Sequence, residues 1–178
     1  MTFSSALSPF ASNGGTTDTA LFHSILWLVQ PKSIGNIFIN SLDKSVKPTI
    51  NFNFGNSHDK DIKSLLYGLE WSREFVQTNP LNKWISNIYN PSNDFNADEF
   101  MNWIQSNLSF YYHMVGTCRM GTQNDPQSVV SEKGLVNGFD NLHVFDASVI
   151  PKIPRGMLNL TVFAIAEKMS DMLIQSIQ

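Results

Sequence analysis

The hydrophobic period of the chain changes near residue 59, and this change restricts the chain to a mixture of strand and helix. From Thr49 to Phe54 apolar and polar residues alternate strictly, which is the period-two pattern of a half-buried strand. From Asp59 to Pro80 apolar residues recur at three- and four-residue spacing, as in an amphipathic helix that a proline ends. Asn36 to Asn40 predicts another strand, which we expect to pair with the first.

The second half of the chain predicts two more helices. Asn96 and Glu99 have the spacing of a capping box at the start of a helix. A helix is also expected from Leu158 to Ser176, after a strand at Leu142–Asp146 and a turn at Pro151–Gly156. The sequence therefore predicts an α+β fold, with residues 1–27 as a tail or loop remnant.

Composition excludes several kinds of function. The 178 residues carry 12 Lys and Arg against 15 Asp and Glu, which argues against nucleic-acid binding, because that function needs clustered cations. Cys118 is the sole cysteine, which rules out a disulfide or a thiolate metal cage within the chain, and we expect no metal. Met1 to Gly15 lacks a signal-peptide pattern, and the longest apolar run, Leu21 to Val29, is far short of the roughly 20 residues of a membrane span. We expect a soluble chain of unknown compartment.

The densest chemistry lies between His113 and Gly121, where a histidine, a hydroxyl, a thiol and an arginine occupy one glycine-bounded loop. A histidine in a loop is more often a hydrogen-bonded structural residue than a proton-transfer group. His113 and Cys118 would make a nucleophile pair only if the fold brought them together, and their five-residue separation is weak support. Both interpretations of His113 stay open on composition alone.

A second candidate site follows the strand that is expected to end at Asp146. A turn and a helix start come next, and together they bring free backbone N–H groups and a positive dipole end to one place. Such a place suits an anion or an electron-rich ring carbonyl. The simpler alternative is that Asp146 only caps the turn, because most strand-turn-helix units bind nothing.

Five linked motifs follow one another in the second half of the chain: His113-x-x-Gly-Thr-Cys-Arg-Met-Gly121, Asp125-Pro126-x-Ser-Val-Val130, Gly138-x-x-Asn-Leu-x-Val-x-Asp-Ala-Ser148, Ile153-Pro-x-Gly156 and Ile165-Ala-Glu-Lys168. In this order and spacing they resemble the C-terminal signature of the glucose-methanol-choline (GMC) family of FAD-dependent oxidoreductases. The resemblance extends from about Leu28 to Ile174.

The resemblance implies a fold and a reaction. Residues 28–112 would be a portion of the substrate-binding domain, with sheet strands and covering helices. Residues 113–178 would carry the catalytic loop, the returning strand and the C-terminal helix of the FAD-binding domain. His113 falls on the family's catalytic histidine, which accepts the proton of an alcohol or sugar-like substrate while hydride leaves for FAD. The N-terminal FAD-binding portion would be a missing partner of this chain.

The resemblance also implies cofactor contacts. Asp146 and Ala147 match the strand end that lies along the FAD. Asn159, Leu160 and Thr161 match the helix start beneath the flavin ring, where N–H groups and the dipole stabilise negative charge.

Two departures from the family pattern leave other functions open. Met157 stands where the family places Asn or His, and a thioether cannot donate a hydrogen bond. The flavin-binding fingerprint G-x-G-x-x-G is absent from the sequence. A truncated or diverged chain without catalysis is therefore an alternative, and a flavin-containing lyase is another.

Overall fold

The computed structural model describes residues 24–54, 60–85, 88, 96–122 and 124–178. These residues form two short strands, three helices and two 3₁₀ turns, which agrees with the predicted α+β class. Residues 1–23 of the predicted tail lie outside the described residues, and they include Met1 to Gly15, which lacks a signal-peptide pattern. The elements are β1 (Asn36–Phe38), β2 (Thr49–Asn51), α1 (Lys60–Val76), α2 (Ala97–Asn107) and α3 (Leu158–Ile177), with 3₁₀ turns at Leu81–Lys83 and Ala147–Val149.

The described residues fall into two compact units. The first contains residues 29–54, 112–122 and 124–178, and so holds β1, β2 and α3. The second contains residues 24–28, 60–85, 88 and 96–111, with α1 and α2. The division into substrate-binding and FAD-binding portions at residue 113 concerns function and stays a prediction. Within the described residues, no helix is both long enough and apolar enough to cross a membrane.

In the first unit, β1 and β2 pair antiparallel with Ile37 opposite Ile50, which confirms the predicted pairing. All six strand residues are exposed, and β2 is shorter than the alternating pattern suggested. The Asn51 side chain accepts the Asn53 N–H at 2.9 Å, and Asn53 has a φ of 50°, so the extended backbone ends there. Two strands of three residues are marginal as an isolated hairpin.

The core of the first unit is a cluster of buried side chains drawn from three distant parts of the chain. Val130, Val149 and Met169 form its centre. Partly buried residues pack around them: Cys118, Met120, Val136, Val144, Phe145 and Ile165. The loop after His113, the turn after Asp146 and helix α3 therefore share one core, which we call the central cluster.

The predicted strand at Leu142–Asp146 is wrong. His143 makes a single isolated bridge to Leu135, and the segment forms no ladder. Two hydrogen bonds form this bridge: the Val144 N–H donates to the Gly134 carbonyl at 2.9 Å, and the Val136 N–H donates to the Leu142 carbonyl at 2.8 Å. Gly134 has a φ of 76°, and a Cβ there would lie 2.6 Å from the Phe145 ring. The pairing stops after this one bridge because the backbone leaves the extended region at Gly134 on one side and turns between Val136 and Phe139 on the other.

The second unit is a helix pair. α1 buries Ile62, Leu65 and Leu69 at helical spacing and ends before Pro80, as predicted; the predicted start at Asp59 lies just outside the described residues. α2 opens with the predicted capping box: the Asn96 side chain accepts from Asp98 and Glu99 N–H, and the Glu99 carboxylate accepts from the Asn96 N–H.

The two helices of this unit also meet through an arginine. The Arg73 guanidinium lies 4.4 Å from the ring centre of Phe100, a cation–π contact between α1 and α2. Phe100 itself is buried, so the contact lies at the inner face of the pair.

Candidate functional site

Backbone hydrogen bonds join the loop that carries His113 to the turn that follows Asp146. The Cys118 N–H donates to the Ser148 carbonyl at 3.0 Å, and the Met120 N–H donates to the Val149 carbonyl at 2.8 Å. Gly116, with a φ of 88°, passes close to the Ile150 carbonyl, which lies 3.5 Å from where a Cβ would stand. Two segments thirty residues apart in sequence are thus held side by side at the central cluster.

His113 begins this loop and is half-buried. Tyr112 before it has a φ of 55° and is 87% exposed. A tyrosine in the left-handed region costs about 1–2 kcal/mol, so the backbone is strained directly beside the candidate base. The candidate base therefore follows directly on a strained backbone position.

Asp146 acts as the cap of the 3₁₀ turn at Ala147–Val149. Its Oδ1 accepts the Ser148 N–H at 2.8 Å and also the Ser148 hydroxyl. The capping role that the sequence left open for Asp146 is therefore present. The Asp146 side chain is exposed and Ala147 is half-buried, so both lie at the surface of the first unit.

The N terminus of α3 provides the third part of the candidate site. Met157 is the N-cap residue and makes no side-chain cap hydrogen bond, as expected for a thioether. The first-turn N–H groups therefore receive no acceptor from the cap residue, and the positive end of the helix dipole adds to them. Asn159 and Leu160 are exposed and Thr161 is half-buried. This helix start suits an electron-rich or anionic group.

Gln30 fixes the turn that leads into α3, a contact that the sequence did not indicate. Its Nε2 donates to the Ile153 carbonyl at 3.0 Å, and Arg155 Nε donates to Gln30 Oε1 at 2.7 Å. Ile153 is buried. Because 123 residues separate Gln30 from Ile153, only the fold could reveal the contact.

Arg119, Asp125 and Gln127 are further residues whose connection sequence reasoning missed. Arg119 Nη2 forms an ion pair with Asp125, and Nη1 donates to Gln127 Oε1 at 2.9 Å. The Gln127 N–H donates to Asp125, which lowers the pKa of that carboxyl; Arg119 lowers it further, against the opposing effect of burial. The available signal was an arginine and an aspartate on either side of Gly121, with Pro126 making the turn.

The described structure is thus an α+β chain whose candidate site residues lie on two hydrogen-bonded loop segments and one helix start. A family model described as GMC oxidoreductase matches residues 31–166. The chain belongs to the GMC oxidoreductase family, and the resemblance found in its motifs is confirmed.

Curated relatives of this chain include bacterial enzymes. The chain is 35% identical over 146 residues to the oxygen-dependent choline dehydrogenase of Photobacterium profundum, covering 82% of the chain and 26% of that protein. It is 32% identical over 151 residues to oxygen-dependent choline dehydrogenase 1 of Chromohalobacter salexigens, covering 84% and 27%. The chain therefore spans about a quarter of the length of these relatives.

Solved structures give the same result for the fold. A formate oxidase of Aspergillus oryzae RIB40, described in a study of FAD modification, superposes with a TM-score of 0.77 at 30% identity, over 85% of the chain and 26% of that protein. Pyridoxine 4-oxidase from Mesorbium loti superposes with a TM-score of 0.75 at 28% identity, over 84% and 29%. The described fold is thus that of the GMC C-terminal region.

Proposed function

We propose that this chain supplies the C-terminal portion of a flavin-dependent oxidoreductase that acts on CH–OH groups of an alcohol or sugar-like substrate. His113 is the proton acceptor in this proposal. The observation that carries it is the shared core: the loop after His113, the turn after Asp146 and α3 all pack on the central cluster. A base and two cofactor-contacting segments on one rigid core suit a reaction that needs both in fixed relation.

FAD, when bound, supplies the hydride acceptor. The residues of the chain fit one part of it. The first turn of α3, at Asn159, Leu160 and Thr161, offers N–H groups and a positive dipole end to an electron-rich ring. Asp146 and Ala147 lie on the turn that packs through Val149 against Met169 of that same helix.

The pyrophosphate part of FAD needs a binding site that this sequence lacks. The pyrophosphate of a dinucleotide is commonly bound by a glycine-rich turn at a helix start, and no G-x-G-x-x-G is present in the 178 residues. In our proposal an N-terminal FAD-binding portion provides that binding site. The exposed hairpin β1–β2 and the 81% exposed Leu160 are apolar surfaces that such a portion would cover.

His113 performs the proton step. An imidazole is suited to accepting a proton at neutral pH. Removal of the proton from the substrate hydroxyl makes it easier for hydride to leave the carbon that bears this hydroxyl. Its half-buried position leaves it accessible to a substrate. The loop that follows is attached to the turn after Asp146 by the N–H groups of Cys118 and Met120.

A second candidate function is a chain that folds and associates but does not catalyse. Met157 favours it, because this residue precedes α3, is 53% exposed and offers no hydrogen-bond donor to a substrate oxygen. One donor fewer at a developing alkoxide typically lowers a rate by 10²- to 10³-fold. Nothing in the described residues favours the lyase alternative.

The test uses a chimera in which this chain replaces the matching residues of the Photobacterium profundum choline dehydrogenase. We expect choline to bleach the flavin absorbance of the chimera under anaerobic conditions. The substitution His113→Gln should slow the bleaching by 10²- to 10⁴-fold, the usual contribution of a general base. His143→Gln is the matched control, because His143 is also half-buried in the first unit but packs on Phe145, with ring centres 5.6 Å apart.

Two results would contradict the proposal. Equal bleaching by the parent chimera and the His113→Gln variant would remove His113 from the reaction. A flavin that is bound but never reduced by any alcohol would support the non-catalytic alternative. The 178-residue chain alone should purify without flavin colour, and a stoichiometric yellow preparation would show that no further FAD-binding portion is needed.

A further inference from the structure

The Arg119 side chain joins the loop after His113 to the next loop along the chain through two separate contacts. Its guanidinium holds the Asp125 carboxylate with one nitrogen and the Gln127 side-chain oxygen with another. Asp125 and Gln127 are also tied to each other, since the Gln127 N–H donates to Asp125 Oδ1 at 2.9 Å. A planar guanidinium can bind two acceptors at fixed angles, which an ammonium cannot do. We call these three residues the clamp.

The main chain at the clamp is fixed as well. The Arg119 carbonyl accepts the Val129 N–H at 2.9 Å, and the Gly121 N–H donates to the Val130 carbonyl at 3.0 Å. Gly121 allows this close approach, because a Cβ there would lie 2.9 Å from Ser128 Cβ and 3.1 Å from Asp125 Oδ2. The two loops are therefore packed too tightly at the clamp for independent movement.

The position of the clamp in the chain links it to the candidate site. Arg119 lies between Cys118 and Met120, whose N–H groups donate to the carbonyls of Ser148 and Val149. These carbonyls follow Asp146 and Ala147 directly. The clamp thus lies where the loop after His113 is hydrogen-bonded to the turn after Asp146, which is part of the candidate cofactor site.

The partial exposure of the clamp indicates that it adds little to the free energy of unfolding. The Arg119 and Asp125 side chains are 34% and 26% exposed, and ion pairs near the surface contribute little to the free energy of unfolding. Their effect should instead be local, on the geometry of the loop.

We propose that Arg119 is a positioning residue for His113: through the clamp it holds the loop of residues 113–121 against the turn of residues 146–150, and so fixes the base relative to Asp146 and Ala147. This inference rests on the proposed function of His113. Arg119 acts through the loop in this proposal.

Cys118 provides the probe for the test. It is the only cysteine in the sequence, is half-buried against the central cluster and neighbours Arg119 directly. In the 178-residue chain, Arg119→Gln and Asp125→Asn should each speed thiol labelling of Cys118 by about fivefold, the factor expected for loss of a partly exposed charged pair. The double variant should be no faster than either single variant. Arg119→Lys should give an intermediate rate, because it keeps the charge without the two-directional contact.

Lys133→Gln is the matched control, since it removes one exposed positive charge from the same unit outside the clamp. Its labelling rate should equal that of the parent chain. Gly121→Ala disturbs the clamp without changing any charge and should also speed labelling. Parent-like labelling in Arg119→Gln and Asp125→Asn, or single effects that multiply in the double variant, would overturn the proposal.

Kinetics of the chimera separate positioning from simple stabilisation. Arg119→Gln should lower kcat by about tenfold with little change in KM, because displacement of a base by a fraction of an ångström slows the reaction more than it weakens binding. An unchanged kcat would overturn the proposal. If labelling responds as expected but His113→Gln leaves flavin reduction intact, the clamp orders the loop and the assigned role of His113 is wrong. If labelling and kcat do not respond to Arg119→Gln while His113→Gln abolishes reduction, the proposed function stands and the positioning role fails.

Discussion

The first unit contains two regions that are held in opposite ways. The described residues between Gly116 and Ile150 are fixed by main-chain hydrogen bonds, a side-chain clamp and the buried central cluster. In the hairpin, every residue of β1 and β2 is exposed, and Leu42 in the connection is 102% exposed. The first of these, the loop region, is therefore ordered by contacts within this chain. The apolar side chains of the hairpin, in contrast, would stabilise the fold only if another surface covered them.

This difference has a functional meaning within the proposed oxidoreductase. A base must be held within a fraction of an ångström of its productive position, and local contacts can do this before any partner arrives. A surface that joins two portions of a protein has the opposite requirement, since it must remain apolar and accessible until assembly. The predictions below test the two regions separately.

The largest effect is expected from the glycine at the tight turn of the loop region. Gly134→Ala would place a methyl group 2.6 Å from Phe145 Cε1 and 2.8 Å from the Val144 carbonyl, at a φ of 76°. Overpacking and backbone strain together should lower the free energy of unfolding by about 4 kcal/mol. Urea denaturation measures this value. Gly138→Ala is the control: its φ is 84° but nothing lies within 4 Å, so the loss should be about 1 kcal/mol. Equal losses in both variants would contradict the tight packing of the turn.

A core substitution compares the two regions directly. Met169→Ala in α3 removes a side chain that is 5% exposed and central to the cluster, and should lower the free energy of unfolding by about 3 kcal/mol. Leu42→Ala in the hairpin removes a side chain of similar size from full exposure, and the change should stay within about 0.5 kcal/mol. In the chimera Leu42→Ala should lower the free energy of unfolding by more than this if the proposed N-terminal FAD-binding portion covers the hairpin. A large loss for Leu42→Ala in the chain alone would show that the hairpin is already covered.

The sequence predicted those parts of the fold that depend on local periodicity and local capping. The capping box at Asn96 and the extent of α3 follow from neighbouring residues, and both are present. The strand predicted at Leu142–Asp146 failed because its pairing with Leu135 stops after one bridge where the chain turns at Gly134, and the close contact of Gly134 with Phe145 depends on the fold. β2 ends early for a local reason, the turn that the Asn51 side chain forms with Asn53.

The candidate site shows the same division between local and distant information. The motifs around His113 and Asp146 were visible as separate segments, but the hydrogen bonds that join them connect residues thirty positions apart. Gln30 illustrates this most clearly: no local pattern indicates that it holds Ile153 and Arg155, which lie more than 120 residues away. Sequence thus predicted which segments are candidates for the site, and the structure shows how these segments are attached to each other.

The smallest effect is expected from two aspartates, one in each region, whose pKa values are both lowered. The pKa of Asp125 is lowered first by the Gln127 N–H and then by Arg119, and the pKa of Asp43 is lowered by the N–H and hydroxyl of Ser45. A carboxyl with a lowered pKa in the folded state adds stability that is present above the unfolded value of about 3.9, and that stability is lost as the pH falls through the folded value. The difference in urea midpoint between the parent and Asp125→Asn should therefore be constant from about pH 5 to pH 8 and shrink below about pH 4.

The substitution Arg119→Gln should affect the pKa of Asp125 but not that of Asp43, because only Asp125 has a cation among the causes of its lowered pKa. Measured by NMR titration, the pKa of Asp125 should rise toward its ordinary value in this variant but stay below it, since the Gln127 N–H remains, while the pKa of Asp43 should not change. Added salt should have the same selective effect, since ions screen the partly exposed charge pair more than they weaken a short hydrogen bond. If the pKa of Asp125 changes neither in Arg119→Gln nor with added salt, the Gln127 N–H alone lowers it. The loop region would then resemble the hairpin, where a local turn lowers the pKa of Asp43.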